Sequence, residues 1–198
     1  MFKSWKKFRK SKIYEYSEVI IVAVVLALII RTFVVQAYKI PSSSMVPTLQ
    51  VGDHLFVSKF IYGTKIPFID KIIWKFSKPK RKDIIVFKCP RDLDKDFIKR
   101  VIGLPGDKVM IKQKIVYIND KPIDEPYTIK APPLPMAMYS IRDNWEEPII
   151  VPKNNYFVLG DNRDSSYDSR FWEYLKKDLI KGKALCIYWP PNRIKIIK

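Results

Sequence analysis

Histidine is nearly absent from this 198-residue chain and cysteine is scarce, with one and two residues respectively. The lone histidine, His54, is followed by Leu-Phe-Val and reads as an ordinary strand residue. A serine–histidine pair would have to be built on it. A zinc site needs more ligands than His54, Cys89 and Cys186 supply, and the cysteines lack CxxC spacing. No metal or organic cofactor is expected. Both cysteines lie in apolar, strand-like stretches and read as buried free thiols, with a disulfide between them as the open alternative. Acidic residues are few, 20 against 37 Lys+Arg, which leaves a net charge of +17. Such an excess serves solubility, or it draws the chain to an anionic surface. No nucleic-acid motif accompanies the charge, so anionic membrane lipid is the expected partner rather than nucleic acid. Long apolar runs are missing too, save one.

That run, Val19 to Ile30, is unbroken; Arg31 interrupts it and Thr32-Phe33-Val34-Val35 continues it. About 17 residues at roughly 1.5 Å each lie at the short end of what spans a bilayer. Arg31 can snorkel to the outer headgroups, with Glu15 and Glu18 at the inner interface. A cleavable signal peptide is the rival reading. Gln36-Ala37-Tyr38-Lys39 makes a poor small-x-small cleavage site, so a retained anchor over 18–35 is expected. Lys3, Lys6, Lys7, Arg9, Lys10 and Lys12 crowd the arm before it. Positive residues in a short flank stay cytoplasmic. Residues 1–17 are therefore expected inside, and 36–198 outside the cytoplasm.

The part beyond Gln36 reads as strands. Short stretches rich in β-branched and aromatic residues recur at 53–58, 83–88, 96–102, 108–111, 156–159 and 184–189, bounded by turn residues. Ile115 to Ile123 reads as a hairpin around Asn119-Asp120. Phe171 to Leu175 reads as a helical turn. The fold class expected is all-β, mainly antiparallel and barrel-like, behind one N-terminal transmembrane helix. Residues 62–81 mix lysines with Ile66, Phe68, Ile72, Ile73, Trp74 and Phe76. They read as a hairpin or loop, either lying on the membrane or packed on the core. Residues 124–153 hold six prolines and little periodicity, and read as a surface insertion over the sheet.

Two segments carry chemistry. Pro41-Ser42-Ser43-Ser44-Met45-Val46-Pro47-Thr48 offers serines in a proline-flanked turn. Phe97-Ile98-Lys99-Arg100-Val101-Ile102-Gly103-Leu104-Pro105-Gly106-Asp107 offers a lysine inside an apolar strand. A hydroxyl needs a base within hydrogen-bond reach to become a nucleophile. A lysine has a pKa near 10.4 in water, and apolar burial can lower it by several units.

With Gly52-Asp53, Asp83-Ile84-Ile85-Val86-Phe87 and Gly160-Asp161-Asn162-Arg163-Asp164-Ser165-Ser166-Tyr167-Asp168-Ser169-Arg170, these segments resemble bacterial type I signal peptidases. The resemblance runs from the apolar segment to the C-terminus. It implies a barrel-like signal peptidase fold and a serine endopeptidase that cleaves signal peptides from secretory preproteins, after small residues in an Ala-x-Ala pattern. It implies Ser44 as nucleophile and Lys99 as base, with the Ser44 N–H and the Ser42 hydroxyl stabilising the oxyanion. It implies Ser166 as the partner that orients the Lys99 amine, and pairs Asp161 with Arg100 and Asp168 with Arg170. Tyr38, Ile40, Pro41, Met45, Leu49, Leu55, Phe97 and Ile98 fall at substrate-pocket positions. The implied location is the bacterial cytoplasmic (inner) membrane, single-pass, near the secretion translocon. Ser43 stands where many members carry glycine. Some members have two anchors and a large insertion, whereas this chain has one anchor and a short insertion. Two rival readings are a self-cleaving relative of the SOS-response repressors and a non-catalytic anchored β-domain that binds lipid or protein. The apolar segment and the lack of a DNA-binding helical domain oppose the first. The second leaves the Ser44 and Lys99 segments without a purpose.

Overall fold

A computed structural model describes residues 12–29, 34–62, 65–66, 69–72, 77–129 and 142–197. The helix α1 (Lys12–Ile29) precedes β1 (Val35–Lys39), β2 (His54–Ser58), β3 (Lys65–Ile66) and β4 (Ile69–Ile72). Next come β5 (Ile84–Cys89), β6 (Asp92–Gly103), β7 (Lys108–Lys112), β8 (Ile115–Ile118), β9 (Lys121–Pro122), β10 (Ile149–Ile150) and β11 (Asn155–Leu159). The short helix α2 (Ser169–Trp172), β12 (Leu175–Lys176), β13 (Ile180–Trp189) and β14 (Lys195–Ile196) complete the described chain.

The main sheet runs β1-β2-β13-β5-β6-β11-β12, with β14 on β13, and a smaller sheet runs β10-β7-β8-β9. The described pairings are antiparallel, as the short alternating segments predict. Alternation also sorts the core. Ile84 and Val86 of β5 join one cluster with Leu55, Val57, Ile98 and Ile187. Their neighbours Ile85 and Phe87 join a second cluster with Val101, Val158, Trp172 and Leu175 on the other face. The long β6 then carries Ile102 into a third cluster, where Phe157 and Leu159 meet Val109, Ile111, Val116 and Ile118 of the smaller sheet. The Asn119-Asp120 turn between β8 and β9 has positive φ at both residues, 52° and 67°, the geometry that two-residue hairpins favour.

The transmembrane helix expected over 18–35 is not met by the described residues. None of their helices is long and apolar enough to cross a membrane. The 18 residues of α1 include Lys12, Glu15 and Glu18. That leaves Val19–Ile29, about 16 Å of apolar helix against the ~30 Å of a hydrocarbon core. Residues 30–33 lie outside the described part, and Val35 opens β1, paired with Ser58. From Val19 to Leu28 the large apolar side chains of α1 are exposed, Val19 at 66% and Leu28 at 56%.

Of the 62–81 region, β3 and β4 form an antiparallel pair; Trp74 and Phe76 lie outside the described residues. Of 124–153, residues 124–129 and 142–153 are described. Tyr127, Trp145 and Ile149 pack against the third cluster, and Trp145 N–H donates to Ile111 O at 2.7 Å.

Candidate active site

Ser44 sits in the turn that follows β1. Val46 N–H donates to Ser43 O and Leu49 N–H to Met45 O, which coils the chain tightly here. Met45 and Leu49, both with no exposed surface, plug into the first cluster and hold the turn down. Ser44 is thereby left at the lip of the core, 6% exposed.

Lys99 reaches this serine from the middle of β6. It shares a face with Phe97 and Val101, and its partner across the ladder is Ile85. Its Nζ donates to Ser44 Oγ at 2.7 Å and to Ile98 O at 3.1 Å, and it lies 5.3 Å from the centre of the Phe97 ring. Burial lowers the Lys99 pKa from 10.5 to about 8, against the opposing pull of Asp168, Asp161 and Cys89. Near neutral pH a share of the amine is therefore uncharged. An uncharged amine at 2.7 Å can accept the serine proton. Ser42 Oγ lies 3.5 Å from Ser44 Oγ.

The loop of residues 160–170 packs against the back of this pair. Arg100 clamps Asp161 with two bonds, Nε to Oδ1 at 2.8 Å and Nη2 to Oδ2 at 2.6 Å. Both side chains are almost wholly buried, at 3% and 1% exposure, so the pairing is what makes either charge tolerable. Arg170 likewise holds Asp168, with Nε to Oδ1 at 2.9 Å, and also Asp143 at 2.8 Å. Asp168 Oδ2 accepts from Gly160 N–H at 3.1 Å. Gly160 cannot carry a side chain: a Cβ there would stand 2.5 Å from Ser44 O and 2.3 Å from Ser166 Oγ.

Ser166 departs from its expected role. Its Oγ is buried and has no hydrogen-bond partner among the described residues, the Lys99 amine included. The amine's two bonds go to Ser44 and to the Ile98 carbonyl instead. Of the expected pocket residues, Ile40, Met45, Leu49, Leu55 and Ile98 meet in one cluster, with Tyr38 packed against it. Met45, Leu49 and Leu55 have no exposed surface and belong to the core. Phe97 packs against the second cluster, on the same face of β6 as Lys99, and Pro41 is exposed. His54 is engaged elsewhere, its Nδ1 3.4 Å from the Tyr188 hydroxyl. Cys89 and Cys186 are free thiols. Among the described residues no group of three or more His, Cys, Asp or Glu could hold a metal ion.

Two participants carry no role in the sequence reading. Thr48 Oγ1 donates to Asp161 Oδ2 at 2.5 Å, which locks the Ser44 turn to the loop. Asn162 N–H donates to Ser44 O at 3.1 Å, gripping the serine's own backbone. Thr48 and Asn162 both lie within the motif segments, but their contacts join residues 113 and 118 apart, a pairing that spacing does not reveal.

A serine and a buried amine in contact, carried on an antiparallel β-domain, form an arrangement of the kind that acyl-transfer hydrolysis requires. The sequence matches the family model described as "Signal peptidase, peptidase S26" over residues 13–189. A probable signal peptidase I-2 of Synechocystis is 41% identical over 92% of this chain and 76% of its own length. A signal peptidase I of Leptolyngbya laminosa is 42% identical over 93% of this chain and 83% of its own. A solved signal peptidase I structure from Enterococcus faecalis is 35% identical, covers 54% of this chain and 97% of its own, and aligns with a TM-score of 0.43. The sequence matches carry the conclusion: the chain belongs to the S26 signal peptidase family.

Proposed function

We propose that this chain is a membrane-attached serine endopeptidase that cleaves signal peptides from secretory preproteins, with Ser44 as nucleophile and Lys99 as its base. The carrying observation is the 2.7 Å contact between Lys99 Nζ and Ser44 Oγ, made by an amine that burial pushes toward neutrality. Ser44 Oγ attacks the scissile carbonyl while Lys99 takes its proton. The tetrahedral oxyanion is met by the Ser44 N–H and the Ser42 hydroxyl. Lys99 returns the proton to the leaving amine, and then activates the water that releases the acyl-enzyme. The Arg100–Asp161 and Asp168–Arg170 pairs hold strand and loop in register around this exchange.

The sheet leaves room for an extended substrate. β11 pairs with β6 only from Arg100 to Gly103, so among the described residues the Asp92–Lys99 edge on that side has no strand partner. Among the described residues β1 is paired on one side only, by β2. Although three strands separate β1 from β6 in the sheet order, Asp96 lies close enough to Tyr38 to help burial push its phenol pKa up. The sheet therefore curls so that these two edges face each other. A substrate strand adds between them and presents small side chains to the Tyr38, Ile40 and Ile98 surface. Cleavage after an Ala-x-Ala-like site is part of this reading, since apolar side chains set close to the serine would exclude large residues.

Membrane attachment through residues 18–35 is part of the proposal, with the N-terminal arm cytoplasmic and the catalytic domain on the outer face. It is supported by the unbroken exposed apolar surface of α1, which no part of the described β-domain covers. Only about eight residues separate Val35 from Ser44, so the site stands within roughly 30 Å of such an anchor. Signal peptides carry an apolar segment of their own in the same bilayer.

Cleavage of a signal-peptide substrate by the full chain in detergent tests the chemistry. Ser44→Ala, Lys99→Ala and Lys99→Arg are expected to be inactive, the last because a guanidinium stays charged. His54→Ala is expected to be active. An inactive His54→Ala beside an active Lys99→Ala would overturn the dyad.

A further inference from the structure

Glu125 lies just after β9, outside every motif segment, yet its carboxylate is nearly buried. Its side chain is 10% exposed and that of its partner Arg163 is 9% exposed. Glu125 Oε1 accepts from Arg163 Nη2 and from the Tyr127 hydroxyl, the latter at 2.9 Å. Two arms leave this carboxylate. Along the first, Arg163 Nε donates to Gly160 O at 3.0 Å. At Gly160 the loop touches the Ser44 carbonyl and Ser166, and Asn162 N–H is bonded to that same carbonyl. Along the second, the Tyr127 ring lies 3.9 Å beneath the Arg100 guanidinium. Arg100 adjoins Lys99 in β6 and clamps Asp161. Burial and Glu125 push the Tyr127 phenol pKa up, so its hydroxyl remains a donor to the carboxylate.

Resting on the serine–lysine reading, we propose that Glu125 and Tyr127 are positioning residues that hold Ser44 and Lys99 in register. One carboxylate braces the loop behind the serine through Arg163 and the strand beside the lysine through Tyr127 and Arg100. Charge-assisted bonds of fixed geometry suit this task. Without Glu125, the Arg163 guanidinium is left nearly buried and uncompensated, and the loop must shift to hydrate it. The three apolar clusters do not include Glu125, so the fold has other support. A loosened loop admits water beside Lys99, which is faced by Asp161 and Asp168 of the loop and by Cys89 of β5. Hydration favours the ammonium and moves the base back toward ordinary lysine behaviour.

The test uses the full chain in detergent and a signal-peptide substrate with a small-x-small site, far below each variant's own melting temperature. Glu125→Ala is expected to lower kcat by about tenfold to a hundredfold, as small misplacements of reacting groups do. KM should stay within about twofold, and the rising limb of the pH–rate profile should move to higher pH. Glu125→Gln, which keeps the side chain's shape, should fall between Glu125→Ala and the natural chain. Tyr127→Phe should cost less than Glu125→Ala because its ring still lies under Arg100. If Glu125→Ala does not fold, Glu125→Gln decides. A kcat and pH limb unchanged in the folded variant would overturn the inference. So would a loss of rate matched wholly by the unfolded fraction, with the limb unmoved. Cleavage by Ser44→Ala would overturn the underlying dyad and the inference with it.

Discussion

Replacing Lys99 by methionine should destroy activity and make the protein more stable. Lys99 is 4% exposed, and its pKa drops from 10.5 to about 8 because burial disfavours the ammonium. Each factor of ten is about 1.4 kcal/mol, so at pH 7 the folded state carries a cost of about 3 kcal/mol for holding this group. Methionine keeps the unbranched apolar stem and fills similar space. It forfeits the bonds to Ser44 Oγ and Ile98 O, worth about 1 kcal/mol net each, about 2 kcal/mol together. The expected gain is about 1 kcal/mol, or a melting temperature higher by about 2–4 °C for a chain of this size. Between about 8 and 10.5 the unfolded chain binds more protons at this site than the folded one, so the natural protein gains stability as pH rises through that window. The advantage of Lys99→Met should therefore be full below pH 8 and smaller by about 1 kcal/mol at pH 9. Urea unfolding at pH 6.5 and 9, alongside cleavage assays, measures both. A variant less stable than the natural chain at both values, or a gap that does not narrow with pH, would refute the desolvation account of this lysine.

The pH–rate profile of the natural chain should rise about tenfold from pH 7 to 9 and bend toward a plateau, as a base of pKa about 8 requires; a rise of about a hundredfold with no bend would mark an ordinary lysine. Arg100→Ala should destabilise the fold by about 3–5 kcal/mol, because it leaves the Asp161 carboxylate buried without its partner; chemical denaturation measures this, and a loss under about 1 kcal/mol would mean that water reaches the site. Gly160→Ala should lower kcat sharply, since the new methyl group would stand 2.5 Å from Ser44 O and force the loop away; activity equal to that of the natural chain would show that the contact yields easily.

Much of this protein is legible in one dimension because its determinants are local. The alternation in 84–87 already separates Ile84 and Val86 from Ile85 and Phe87, and those residues do face different clusters. Asn119-Asp120 announces its own hairpin, since a short polar pair tolerates the positive φ that the turn demands. Ser44 in a proline-flanked turn and Lys99 in an apolar strand stand out as candidates for the same reason. Other elements were hidden by their neighbours. β1 runs on from the apolar run that reads as an anchor, and its strand character comes from pairing with β2, which no window around Val35 contains. Partners distant in the chain were decided only by tertiary structure. Lys99 meets Ser44 across 55 residues, and its amine is nearer neutrality only because the packed sheet and loop exclude water. The Ser166 hydroxyl turns out to be buried without a bond, whereas Thr48, Asn162, Glu125 and Tyr127 acquire roles through contacts that composition and spacing cannot encode. The physical reason is the same in each case: a side chain's chemistry is local, but its solvation and its partners belong to the fold.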